Sequence, residues 1–207
     1  MSEIHYPAGV KPPKSTGEGL LKKQTKKPKS VSSQRKIAPG NRGMAFEAAI
    51  NESNAHYRET GLCLITKRPT PIKVVHVDYA KGPKITDAFY ETQSTTDYNG
   101  VYRGHYIDFE AKETQSATSF PLANIPLQQI EHLEAVLAQG GIAFFLIRFA
   151  KKGEVFLLPA SFLCSFYREK PRASIPYSTF LEKGYPVKEG YHPRVDYLPV
   201  LVEAFAL

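Results

Sequence analysis

The sequence predicts an α/β fold, one mixed sheet with helices packed against it. Three observations carry that expectation. Helical and strand periodicities interleave from about residue 40 to the C-terminus instead of segregating into halves. Ile142 to Phe149 is a run of strand length, apolar at every position but Arg148, as in a central strand buried on both faces. Tyr106 to Lys112 alternates, with Tyr106, Asp108, Glu110 and Lys112 on one face and Ile107, Phe109 and Ala111 on the other.

The elements follow in order. Asn41 is placed to cap a helix starting near Arg42, whose apolar positions are Met44, Phe46, Ala48, Ala49 and Ile50. Gly61 is a suitable residue to end it. Leu62 to Thr66 reads as a strand, and Arg68-Pro69-Thr70-Pro71 cannot continue its ladder. Ile72 to Tyr79, a turn at Lys81-Gly82-Pro83-Lys84, and Ile85 to Thr92 form an exposed two-stranded finger. Asn99-Gly100 is placed as a hairpin turn between Thr95–Tyr98 and Val101-Tyr102. Pro126 opens a helix to about Gln139, striped by Leu127, Ile130, Leu133 and Leu137 and stopped by Gly140-Gly141. After the apolar strand come a turn at Lys151-Lys152-Gly153 and a strand from Glu154 to Leu158. Short helices follow around Ala160–Tyr167 and Ser178–Lys183, and a terminal helix opens at Asp196 with Pro199 in its first turn.

Composition narrows the class. The chain has 207 residues and a formal charge of +7. That charge is uneven: residues 1–43 hold ten Lys/Arg against two acids, and the remainder is close to neutral. Residues 1–39, rich in Pro, Ser and Gly, read as a disordered basic tail preceding a folded domain over 40–207, with the finger inserted at about 70–92. A mobile polycation suits a polyanion, since neutralising phosphates releases condensed counterions; a solubilising tail is the other reading. No run approaches the roughly 20 apolar residues of a membrane helix, and no apolar leader opens the chain. Cys63 and Cys164 have no metal-ligand spacing and read as two buried thiols in a reducing, cytoplasmic setting. The six histidines show no ligand spacing either. No glycine-rich phosphate loop occurs, so nucleotide use is not expected.

The chemistry concentrates in Asp97 and, twelve residues on, Glu110-Ala111-Lys112. Glu110 and Lys112 emerge on one strand face, about 7 Å apart along it, and a hairpin folds Asp97 back towards them. Two carboxylates that close repel, and a divalent cation is the usual way to keep both ionised. Hard oxygen donors select Mg²⁺, and a neighbouring lysine can orient a water and stabilise charge building on phosphorus. These are the parts for hydrolysing a phosphodiester. Taken alone, the pattern has a plainer reading: a turn aspartate beside a solvated cross-strand Glu–Lys pair. Its place on a hairpin and strand, Gln128-Gln129 on the next helix and the preceding polycation favour the catalytic one.

The runs Gln93-Ser94-Thr95-Thr96-Asp97-Tyr98-Asn99-Gly100, Tyr106-Ile107-Asp108-Phe109-Glu110-Ala111-Lys112-Glu113-Thr114, Thr118-Ser119-Phe120-Pro121-Leu122 and Gln129-Ile130-Glu131-His132 resemble the RecU-type Holliday junction resolvases. These belong to the PD-(D/E)xK nuclease superfamily. Asn41-Arg42-Gly43-Met44, Lys67-Arg68-Pro69-Thr70-Pro71 and Pro193-Arg194-Val195-Asp196-Tyr197 extend the resemblance over roughly residues 40–205. One departure from the superfamily pattern is that Thr96, not proline, precedes Asp97.

The resemblance implies a restriction-endonuclease-like sheet with a protruding β-stalk from Ile72 to Glu91 that enters the junction centre. It implies a homodimer that uses Mg²⁺, with Mn²⁺ able to substitute, to make paired symmetric nicks in four-way junctions during recombination, repair and chromosome segregation. By the same resemblance Thr95, Asp97, Glu110 and Gln129 hold the metal and Lys112 stabilises the transition state. The RecA recombinase is an implied repair partner.

Other residues carry two readings each. Glu47 is either an accessory carboxylate of the site or an exposed helix glutamate. Arg42, Lys67, Arg68, Lys81 and Lys84 are either phosphate contacts or surface bases. His132 either faces the site or packs within its helix. Two rival functions remain. A duplex-cutting nuclease is disfavoured by the finger, which suits an open junction better than a groove. A non-catalytic junction- or RNA-binding protein gains nothing from carboxylates placed against phosphate.

Overall fold

The computed structural model describes residues 43–90 and 95–207. The basic tail, Arg42, Asn41 as a cap, and the last residues assigned to the finger lie outside them. Helix α1 (Met44–Glu59) is N-capped by Gly43, with no side-chain cap. Its Phe46, Ile50, Ser53, Asn54 and Tyr57 are buried at helical spacing, so one stripe faces the sheet. Gly61 ends it at φ +69°, the left-handed region where glycine costs least.

Strand β1 (Leu64–Lys67) leads to β2 (Ile72–Asp78) and β3 (Lys84–Tyr90), which pair only with each other. This ribbon is the expected finger. All its residues but the half-buried Val77 are exposed, and register shifts on either side of His76 twist it. The chain re-enters the main sheet with β4 (Tyr98–Tyr102), β5 (His105–Thr114), β7 (Ile142–Phe149), β8 (Glu154–Pro159), β10 (Tyr185–Glu189) and β11 (Val195–Asp196). The seven strands lie in the order β1-β4-β5-β7-β8-β10-β11. Only β5 and β7 run parallel, joined by a crossover through helix α2 (Leu127–Ala138).

Two expectations are corrected here. Asn99-Gly100 is not the turn: both residues lie inside β4, which reverses into β5 at Arg103-Gly104, with φ of 48° and 81°. Glycine is required at 100 for another reason, because a Cβ there would sit 2.0 Å from the Leu64 carbonyl oxygen of the neighbouring strand. Asp196 belongs to β11 and does not open the terminal helix, α5 (Leu198–Phe205). The sequence reading also lacked β10, β11 and the small pair β6 (Ser119–Pro121) and β9 (Ser174–Pro176), which are too short to show a period.

Both faces of the sheet are covered. On the α1 and α5 side, Tyr98, Phe109 and Phe144 stack across three strands, with ring centroids 4.8 and 4.7 Å apart. Tyr57 and Ser53 bond to Asp196 and to the Val195 backbone, which ties α1 to the C-terminal strand. On the other side, α2 and helix α3 (Ala160–Glu169) bury Ile130, Leu133 and Leu163 against Phe145, Ile147 and Leu158. Helix α4 (Tyr177–Lys183) completes that layer with Phe180. β7 serves both cores: Phe144 and Leu146 point one way, Ala143, Phe145 and Ile147 the other. Cys63 and Cys164 are free thiols, Cys63 only half-buried. Among the described residues no helix is long and apolar enough to cross a membrane.

Candidate active site

The pairing of β4 with β5 builds the site. Tyr98 lies opposite Phe109, so Asp97, one residue earlier, falls opposite Glu110. The Asp97 N–H donates to Glu110 Oε2 at 3.0 Å, and the Ala111 N–H donates to Asp97 Oδ2 at 3.2 Å. The two carboxylates are thus joined through backbone groups.

Strand alternation puts Glu110 and Lys112 on one face, the face that α2 covers. Lys112 Nζ lies 2.7 Å from Glu110 Oε1, and Gln129 Nε2, from the first turn of α2, donates to the same oxygen at 2.7 Å. Glu110 is 1% exposed. Burial is the main reason its carboxyl is pushed up to about 7; Asp97 raises it further, while Lys112 and the Gln129 hydrogen bond act against the rise.

The residues fit a hard divalent cation. Two polar oxygens, Thr95 Oγ1 two residues before Asp97 and Gln129 Oε1 of the amide that bonds Glu110, are buried with no hydrogen-bond partner, and an orphaned buried oxygen is costly unless something binds it. With Asp97 and Glu110 these make an all-oxygen donor set, the kind Mg²⁺ accepts together with water and substrate phosphate. The described residues hold no cluster of three His, Cys, Asp or Glu suited to a metal, so a cation bound here would need hydroxyl or amide oxygens beside the two carboxylates.

The remaining candidates divide. Lys67 Nζ forms an ion pair with Glu47 Oε2 at 2.5 Å, near enough to Asp97 to feel its charge. Arg68 turns inward, its Nη2 2.7 Å from Asp108 Oδ2. Lys81 and Lys84 stand exposed on the finger, whose two strands form a sheet separate from the one that carries the carboxylates. His132 does face the site region: its Nε2 lies 2.9 Å from Asp108 Oδ2.

Sequence reasoning passed over Asp108 as a functional residue. It is fully buried two residues before Glu110 and gathers Arg68, His132, the Tyr106 hydroxyl at 2.8 Å and the Thr96 hydroxyl. The signal was present, because Asp108 shares the period-two face of Glu110. What the sequence lacked was the helix that covers that face. Gln129 and His132, three apart on α2, meet Glu110 and Asp108, two apart on β5.

A mixed α/β sheet that brings two carboxylates and a lysine together, with two orphaned oxygens nearby in the chain or the fold, offers the residue types of a metal-dependent nuclease. The comparisons refine that class. A model of the family described as Recombination protein U matches residues 41–203. The Holliday junction resolvase RecU of Lactococcus lactis subsp. lactis (strain IL1403) is 48% identical over 210 residues, covering 96% of each chain. That of Streptococcus sanguinis (strain SK36) is 48% identical, covering 84% of this chain and 90% of its own. That of Geobacillus kaustophilus (strain HTA426) is 48% identical over 78% and 83% respectively. The chain belongs to the Recombination protein U family. The solved structure of Hjc, a Holliday junction resolvase of Archaeoglobus fulgidus, aligns with 13% identity and a TM-score of 0.39, covering 70% of this chain and 95% of that one; nothing about activity follows from so distant a likeness.

Proposed function

We propose that this protein is a Holliday junction resolvase, a Mg²⁺-dependent endonuclease that cuts four-way DNA junctions by paired symmetric nicks during recombination, repair and chromosome segregation. The observation that carries the reading is the pairing of Asp97 with Glu110 beside Lys112, in a member of a family whose curated relatives bear that name.

Thr95, Asp97, Glu110 and Gln129 would hold the cation, which supplies Lewis-acid charge against the scissile phosphate. The chain's own groups do the rest. Glu110 anchors Lys112 Nζ at 2.7 Å, so the ammonium is presented to the phosphate at a fixed point. There it orients the attacking water and stabilises the charge that grows on the phosphoryl oxygens. Gln129 and the Asp97 backbone N–H hold Glu110 from both of its oxygens, which keeps the carboxylate preorganised before DNA arrives.

The finger supports junction selectivity. A ribbon that pairs with no other strand and exposes Val74, Ile85, Phe89 and Tyr90 beside Lys81 and Lys84 suits an open junction centre better than a closed groove. A two-fold junction needs two related cuts, which a two-fold dimer supplies. The edge strand β1, with exposed Leu64 beside exposed Val101 and exposed Leu62 just before it, offers an apolar surface for such an assembly. The basic tail adds sequence-blind affinity for DNA.

The test is cleavage of a mobile four-way junction against duplex and single-stranded controls, titrated with Mg²⁺, alongside light scattering of the free protein. Junction-specific cutting by a dimer supports the reading. Equal cutting of all substrates demotes it to a general nuclease, and tight binding with no cutting in any divalent metal leaves a binding protein.

A further inference from the structure

Asp108 is fully buried yet takes no part in the chemistry described above. A carboxylate with that burial is costly unless every lone pair is used, and here four donors on four separate segments converge on it. Oδ1 accepts from the Thr96 hydroxyl. Oδ2 accepts from Arg68 Nη2 at 2.7 Å and the Tyr106 hydroxyl at 2.8 Å, and lies 2.9 Å from His132 Nε2.

Two of those donors flank Asp97. Thr96 is its neighbour in sequence and sits between Thr95 and Asp97. Arg68, whose side chain Asp108 holds, also donates its backbone N–H to the Asp97 carbonyl at 2.7 Å. Asp97 precedes β4, so no ladder bond of that strand fixes it. What fixes its backbone is one bond from Arg68 and one to Glu110. Both Arg68 and Thr96 are clamped by the same carboxylate.

We infer that Asp108 is a positioning residue for the cutting reaction: through Arg68 and Thr96 it locks the backbone of Asp97 opposite Glu110, and through His132 it fixes the helix that carries Gln129. This rests on the reading of Asp97 and Glu110 as the cutting site. It also gives Arg68 a role other than phosphate contact, since its guanidinium faces inward.

The test uses the full-length protein with Asp108→Asn, Thr96→Val and the double change Arg68→Met/Asp108→Asn, which leaves no unpaired buried charge. Four quantities are read: amide hydrogen exchange at Arg68 and Asp97, single-turnover junction cutting, junction affinity in EDTA, and Tm. The expected result is exchange at those two amides faster by about tenfold or more, with Ile107 and Phe109 unchanged. Cutting falls by roughly 10- to 100-fold, the scale of a small misplacement of a reacting group, while affinity stays within about twofold. In the double variant Tm recovers towards wild type but cutting does not.

Unchanged exchange at Arg68 and Asp97 overturns the proposal. So does recovery of cutting together with Tm in the double variant, which makes Asp108 structural only. Thr96→Val removes a single hydroxyl and keeps the test alive if the charge variants fold poorly. If the wild-type protein cuts no junction, the functional reading fails, while the exchange data still judge the lock itself.

Discussion

Asp97 and Glu110 face each other across the start of a two-stranded ladder, and the N–H of Asp97 donates to Glu110 Oε2 at 3.0 Å. Neither residue is adjacent to the other in sequence, and no turn at Asn99-Gly100 brings them together. The reversal at Arg103-Gly104 sets a register in which Tyr98 meets Phe109, and that register alone places the carboxylates.

Lys112 is the one ammonium bonded to Glu110 among the described residues. Lys112→Ala is expected to lower single-turnover junction cutting by about 10²- to 10³-fold, the usual effect of removing one preorganised charge-stabilising group. Junction affinity, measured by gel shift in Ca²⁺ or EDTA, stays near that of wild type.

The elevated Glu110 carboxyl makes stability depend on pH in metal-free buffer. Its value rises from 4.5 to about 7 on folding, so the folded state holds this proton more tightly than the unfolded chain. The stability it contributes is fully present below about pH 4.5 and is lost as pH rises through about 7. Glu110→Gln removes that dependence. Urea melts at pH 5 and pH 8 in EDTA should show the variant gaining on wild type by up to about 3 kcal/mol at the higher pH.

Gly100 has no room for a side chain, because a Cβ would come within 2.0 Å of Leu64 O and 2.6 Å of Ile65 Cα. Both are backbone atoms that cannot rotate away. Gly100→Ala should therefore destabilise the protein by about 3 kcal/mol or more, with β1 displaced from the sheet edge. Thermal unfolding followed by far-UV circular dichroism checks it.

Lys81 and Lys84 stand exposed on the ribbon. If the ribbon enters the junction, Lys81→Ala and Lys84→Ala each reduce the slope of log affinity against log salt by about one, with Tm unchanged. Binding measured between low and moderate salt reads the slope directly.

Most of this was legible in the sequence where a period or a burial pattern was long enough to see. β7 announced itself by a run apolar but for Arg148, α2 by its stripe, and β5 by alternation that already put Asp108, Glu110 and Lys112 on one face. The finger showed as β-rich, half-polar segments around a Lys-Gly-Pro-Lys turn. Asn99-Gly100 misled because glycine answers two needs, a turn and a close approach of backbones, and only the neighbouring strand β1 reveals which. Gln129 was placed by the family resemblance, and its bond to Glu110 becomes physical only when α2 packs over β5. The Asp108 cluster draws on residues from 68 to 132, a convergence no local pattern encodes. Strands β10 and β11 are held by tertiary pairing, not by their own propensity.

The central claim is tested most directly by mapping nicks on a mobile four-way junction with Mg²⁺, comparing wild type with Asp97→Asn at protein concentrations that saturate binding. The account predicts nicks at symmetric positions in two strands of like polarity for the wild type. It predicts their loss by at least about 10²-fold in Asp97→Asn with binding retained. Undiminished cutting by Asp97→Asn would contradict the account and place the chemistry elsewhere in the chain.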